Sequence, residues 1–272
     1  MGASTGRGRQ HRGTRDVVAV AGRCGLATRG VLYVLVGALA LQIAFGDTGE
    51  AADRAGALDT LADSASGRLL VWAVGIGLVA MALWRLSEAV FGAAGADGRK
   101  LTKRAGSAAR AVFYGVIAFS TLSFAAGHGA NRSSDEQSRD VTAKLLDVPA
   151  GQWLVAAAGI GIAIGGIAIM VGAARLSFRE DMDTGHLPER VRRGVDVLGV
   201  VGGIARGAVF TTAGGFLVYA SVSYDPDKAK GVDDTLRTFA QTSAGPWLLV
   251  AVAIGLLLFG LFSWAQAAWR RV

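Results

Sequence analysis

One arrangement occurs three times along this 272-residue chain, and it leaves few folds open. A basic residue heads an apolar run. An acidic loop, a short amphipathic piece and a second apolar run follow. The copies begin at Arg29, Arg110 and Arg206. The six apolar runs are Gly30 to Phe45, Leu69 to Trp84, Ala111 to Ala126, Trp153 to Ala174, Gly207 to Tyr219 and Trp247 to Ala268. With their flanks they approach the roughly 20 residues that cross a hydrocarbon layer about 30 Å thick. Hydrocarbon offers no partner to a free N–H or C=O, so each run is expected to be a helix throughout. The four prolines, Pro149, Pro188, Pro226 and Pro246, fall outside the runs or at a helix start, where proline is harmless.

The repetition holds at fixed offsets. Gly67, Gly151 and Gly245 each restart the chain after the outer loop. Six residues before them stand Leu61, Leu145 and Phe239; two after them stand Leu69, Trp153 and Trp247. Eight and ten after come Gly75 and Gly77, Gly159 and Gly161, and Ala253 and Gly255. Agreement at several spacings in three places marks internal duplication. The segment before each Gly reads as a short helix at the outer surface, apolar side toward lipid or protein, and the Gly as the turn into the membrane. Gly161-Ile-Ala-Ile-Gly165 and Gly203-Ile-Ala-Arg-Gly207 carry the small-xxx-small spacing that lets membrane helices approach closely.

Composition agrees. Hydrophobic residues make up 52% and charged ones 18%, against roughly a quarter charged in soluble domains. The net charge of +7 lies at helix flanks, the pattern that orients a membrane protein, so no nucleic acid is expected as partner. Setting Arg85 aside, the tail, the two connections between hairpins and the C-terminus hold nineteen Lys and Arg; the three loops within hairpins hold eight. That asymmetry places both termini in the cytoplasm of a multi-pass protein of the cell membrane. Trp153 and Trp247 then mark the outer interface, and Trp84, Trp264 and Trp269 the inner one. Residues 1–20 read as a disordered basic tail and not as a cleaved leader, since the first apolar run starts too far downstream and is too long for one. Three two-helix units follow at 21–93, 103–179 and 201–272.

Three tandem helix pairs, each with a heading basic residue, an acidic outer loop, a Leu-rich short helix and a Gly-then-apolar restart, resemble the bacterial family catalogued as domain of unknown function 1206. The resemblance covers about Ala21 to Val272. It implies an architecture, a two-helix unit present three times, and no reaction or ligand.

The residues themselves offer few sites. Arg85 and Glu88 lie three apart on one helix face, and a charge inside a membrane span is a functional candidate. Snorkelling to the interface or mutual pairing is the competing structural account. The matching offsets hold Ile169 with Gly172 and Ser263 with Gln266, so the pair reads as lying outside the repeated plan. An enzyme would need Arg85 and Glu88 in a pocket with a third polar group. Arg29, Arg110 and Arg206 anchor helix ends or form a ring that binds an anion or a lipid headgroup. Gln42, Ser120, Thr121, Ser123, Thr211 and Thr212 are polar groups within the odd-numbered helices; Gln42, Ser120 or Thr211 lining a wet cavity would favour transport. His11, His128 and His186 stand apart and no carboxylates are at ligand spacing, so neither a metal nor another cofactor is expected. The reading is therefore an all-α integral membrane protein of six transmembrane helices in three repeated hairpins. It is not an enzyme. It acts as a scaffold or accessory protein through the lipid bilayer, anionic headgroups or another membrane protein. A small-solute transporter or channel with pseudo-threefold helix pairs is the alternative.

Overall fold

The computed structural model describes residues 5–45, 52–62, 65–92, 100–127, 133–185, 187–241 and 245–270. Nine α-helices occur among them: α1 (Thr5–Ala44), α2 (Arg54–Ala62), α3 (Ala65–Phe91), α4 (Leu101–Ala125), α5 (Ser134–Leu146), α6 (Gly151–Ala174), α7 (Glu189–Ser223), α8 (Val232–Ala240) and α9 (Gly245–Trp269). Short 3-10 turns cover Ser177–Asp181 and Pro226–Lys228. Among the described residues, six segments are long and apolar enough to cross a membrane: Ala19–Ala44, Gly67–Phe91, Leu101–Ala125, Gly151–Ala174, Glu189–Ser223 and Gly245–Trp269. The 35-residue α7 is roughly 52 Å long by helix rise, so it overhangs the bilayer on the side carrying the basic connections. Helix α1 overhangs too. It begins at Thr5, inside the stretch read as a disordered tail. A formed membrane helix removes the nucleation cost of extending it. Residues 1–4 lie outside the described residues.

Each unit has a first long helix (α1, α4, α7) and a second (α3, α6, α9). The most extensive packing joins different units: α4 on α3, α7 on α6, and α1 on α9. Within units, α1 meets α3 and α7 meets α9 less extensively, and no comparable packing joins α4 to α6. The spatial order is α4, α3, α1, α9, α7, α6, a ring with one open seam, inside the second unit.

Glycine sets the register, and it does so by the repeat. Residues one past each heading arginine are Gly30, Ala111 and Gly207; residues fifteen past each restart glycine are Gly260, Ala82 and Gly166. A methyl group on Gly260 would lie 2.9 Å from the Gly30 carbonyl oxygen, and one on Gly207 would lie 2.6 Å from that of Gly166. One side of the contact recurs a helical stretch further on. A methyl on Gly37 would come within 3.0 Å of the Ala253 oxygen, and one on Gly214 within 2.6 Å of the Gly159 oxygen. Between α3 and α4 the same positions hold Gly75 and the buried Ala118, and an added methyl on Gly75 would meet Leu122. Backbones this close gain dispersion contacts that lipid cannot supply to separated helices.

The short helices α2, α5 and α8 sit over one end of the ring. Leu58 of α2 and Leu236 of α8 are fully buried against the long helices, so their apolar sides face protein. The turn into the membrane falls on Gly245 in the third unit, with φ +53. In the second it falls on Ala150 instead, with φ 63, one residue before Gly151. Trp153 and Trp247 are exposed at the starts of α6 and α9, as an interfacial position requires. Trp84 is 3% exposed: it is buried with Leu26 and Met81, and the Arg85 and Arg270 guanidinium groups lie 4.3 and 4.9 Å from its ring centroid.

Candidate binding site at the centre of the ring

Four residues after each heading arginine comes an aromatic residue, one turn along the same helix face: Tyr33, Tyr114 and Phe210. This Arg-xxx-aromatic pattern brings the first helices of all three units to one cavity of about 150 Å³. Its lining includes Arg29 and Tyr33 from α1, Phe113 and Tyr114 from α4, and Arg206 and Phe210 from α7. Leu78 of α3 contributes a wall, and Asp53 and Val232 from the short-helix end complete it. The cavity surface is predominantly apolar and aromatic.

Arg29 is 8% exposed. Its Nε donates to Ser263 Oγ at 3.1 Å, Nη2 donates to Gln266 Oε1, and the guanidinium lies 5.1 Å from the Phe259 centroid. Arg206 Nε donates to Tyr33 Oη at 2.7 Å, and its guanidinium stands 4.9 Å from Phe259 and 5.2 Å from Phe210. The aromatic faces offset part of the cost of holding these cations away from water. Arg110 is exposed on α4 and makes no hydrogen bond among the described residues. It is not among the cavity-lining residues, although Tyr114 one turn on is.

Arg85 and Glu88 form a buried ion pair, Nη1 to Oε2 at 2.7 Å, with exposures of 5% and 8%. Ser107 Oγ of α4 donates to the same Oε2 at 3.2 Å, and Arg85 Nε is buried without a partner. The third polar group required of an enzyme is thus present, but the pair does not line the central cavity. The offset that seemed outside the repeated plan belongs to it. Ser263 and Gln266, at the equivalent positions of α9, accept from Arg29 of the neighbouring unit. Arg85 and Glu88 likewise face the first helix of the neighbouring unit, α4, through the Ser107 donation to Glu88. Ile169 and Gly172 offer no polar atom to Arg206, which turns to Tyr33 instead.

Gln42 is exposed in the last turn of α1, outside the cavity lining. Thr211 Oγ1 donates to its own helix at Gly207 O, 2.8 Å, beside the α6 contact. Ser120 and Thr211 are also absent from the lining, so the polar pathway considered from sequence is not the one the ring encloses.

The short helices add a group that sequence spacing concealed. Asp135, Asp233 and Asp234 bring carboxylate oxygens within 4.8 Å of one another, a correction to the expectation that no carboxylates gather. They already have partners. Asp135 Oδ1 accepts from Gly231 N at 2.6 Å and Oδ2 from Asp234 N at 3.2 Å; Asp233 Oδ1 accepts from Ala52 N at 2.8 Å. The second unit thus caps the third and the third holds the first. Burial, then the charge of Asp234, raise the Asp135 carboxyl to about 6. An acid raised in the folded state binds protons there first, so its stabilising contribution grows as pH falls from about 6 toward 4. Thermal unfolding in detergent should therefore show a pH 5 minus pH 7 difference that is more positive for the wild type than for Asp135→Asn. Equal differences would refute it.

Comparison with known proteins agrees with this layout. The model of a Domain of Unknown Function (DUF1206) matches residues 24–92, 105–175 and 201–270, one match per hairpin. The uncharacterized protein YxxB of Bacillus subtilis (strain 168) is 32% identical over 244 residues, 89% of this chain and 87% of that protein. No solved structure matches. With three matches that coincide with three structural units, the chain belongs to the DUF1206 family of membrane-spanning repeat proteins.

Proposed function

We propose that the protein is a non-enzymatic scaffold or accessory of the cell membrane that works through lipid contact, holding an amphipathic anion at the centre of its ring. The observation that carries this is the cavity itself: the Arg29 and Arg206 guanidinium groups stand against aromatic and aliphatic walls. Such a site suits a negatively charged head attached to an apolar body, because the arginines supply charge-assisted donors and the walls bury hydrocarbon. The positive-inside asymmetry of the basic connections supports a cytoplasmic side for both termini.

Lipid extracted from the purified protein should be enriched in anionic species over the surrounding membrane. The double variant Arg29→Gln/Arg206→Gln should lose that enrichment. A wild-type extract with the bulk lipid composition would overturn the reading. Transport is the second reading, favoured by the same cavity lying between the first helices of all three units. Proteoliposomes that pass a small organic anion while retaining no lipid would select it.

A further inference from the structure

The seam between α4 and α6 breaks a contact that the other two units make. In the first unit a methyl on Gly25 would lie 2.7 Å from Met81 Cβ, and one on Gly77 would lie 2.9 Å from Thr28 Cβ. In the third unit Gly202 meets Phe259 in the same way, with 2.6 Å to its Cα, and Gly255 meets Ala205. These are identical repeat positions. Gly25 and Gly202 stand four before the heading arginine, and Thr28 and Ala205 one before it. Met81 and Phe259 stand fourteen after the restart glycine, and Gly77 and Gly255 ten after it. The second unit holds Gly106, Ala109, Gly165 and Gly161 at those positions. Its side of the register is thus made of residues as small as any in the chain. Yet a methyl on Gly161 or Gly165 would meet nothing within 4 Å, and one on Gly106 would meet only Arg110 Nη2, at 3.6 Å.

The α4 side of the seam also borders the cavity. Helix α4, its free edge, contributes Phe113, Tyr114 and Ile117 to the lining, and Arg110 is exposed one turn from Tyr114. We propose that α4 and α6 form a lateral gate, through which the alkyl chain of an anionic lipid passes from the bilayer to the cavity bearing Arg29 and Arg206. The gate closes when Gly106 seats on Gly165 and Ala109 on Gly161, the register of the other two units. This rests on the lipid reading above and adds a route and a moving element to it. Charge complementarity selects the occupant: a chain entering here brings its head past Arg110 toward two further guanidinium groups. The closed state is supplied by the repeat, because its contacts exist twice elsewhere in the same molecule.

The test uses the full chain with Cys24→Ser, reconstituted in vesicles of phosphatidylcholine with or without phosphatidylglycerol. Gly106→Cys and Gly165→Cys are introduced together. A disulfide needs Cα atoms within about 7 Å, an approach that the closed register provides. Oxidation should form the cross-link, and cross-linked protein should neither take up nor release labelled phosphatidylglycerol until a reductant reopens it. Gly75→Cys/Leu122→Cys, which joins α3 to α4 away from the seam where a Cβ on Gly75 meets the outer part of the Leu122 side chain, serves as the control: its cross-link should form while exchange continues. If the control pair reacts and the seam pair does not, the seam never closes and the proposal fails. If the seam pair reacts but exchange is unchanged, the gate fails while the cavity reading stands. If the uncross-linked protein shows no preference for phosphatidylglycerol, the cavity reading fails, and the gate with it.

Discussion

Gly207→Leu is expected to force α7 off α6 and to destabilise the protein by about 3 kcal/mol or more, the upper range for overpacking a close contact. Even a methyl there would lie 2.6 Å from the Gly166 carbonyl oxygen and 3.1 Å from Met170 N. Backbone cannot turn aside as a side chain can. Gly215→Leu, two turns along the same helix, is the matched control, since an added methyl meets nothing within 4 Å. Thermal unfolding in detergent should separate the two widely. Similar losses at both positions would mean that helix propensity, not helix approach, explains glycine at these places.

The second large effect concerns Arg85. Arg85→Leu leaves the Glu88 carboxylate 8% exposed, with Ser107 as its remaining hydrogen-bond donor on α4. Removing one partner of a buried pair costs about 3–5 kcal/mol, whereas replacing both with apolar groups is often neutral. Arg85→Leu/Glu88→Leu should therefore be more stable than Arg85→Leu alone. This crossover distinguishes a structural pair from a functional one: a double variant that folds well and keeps its bound anionic lipid assigns Arg85 and Glu88 to the scaffold. A double variant no more stable than the single one would show that Glu88 is compensated elsewhere.

The correspondence of the repeats was legible in the sequence. Agreement of Gly67, Gly151 and Gly245 at several offsets showed which residues are equivalent, but only the packing shows that Gly30 meets Gly260 and Gly207 meets Gly166. The heading arginines were legible as a set, and the aromatic residue four positions on could have been read with them. Three things were hidden. Packing of α1 on α9 joins opposite ends of the chain, and no local signal specifies it. Gly161 and Gly165 spell the same motif as Gly203 and Gly207, but a small residue permits a neighbour without requiring one, and only the second pair has it. The carboxylates of Asp135, Asp233 and Asp234 meet because two short helices from different units touch, a proximity set by the ring and not by spacing. For the same reason the offset of Arg85 and Glu88 looked unrepeated: their equivalents Ser263 and Gln266 differ in chemistry while sharing a position that faces the first helix of the next unit in the ring.

The central claim is three hairpins of one polarity curled into a ring. It is tested most directly by single cysteines in a Cys24→Ser background, labelled in intact cells with a membrane-impermeant reagent. Asp147→Cys and Tyr224→Cys, at the short-helix end, should label without permeabilisation; Thr102→Cys and Asp183→Cys should label only after it. If Asp147→Cys and Asp183→Cys, at opposite ends of the α6 hairpin arm, react from the same side, the hairpin account is contradicted.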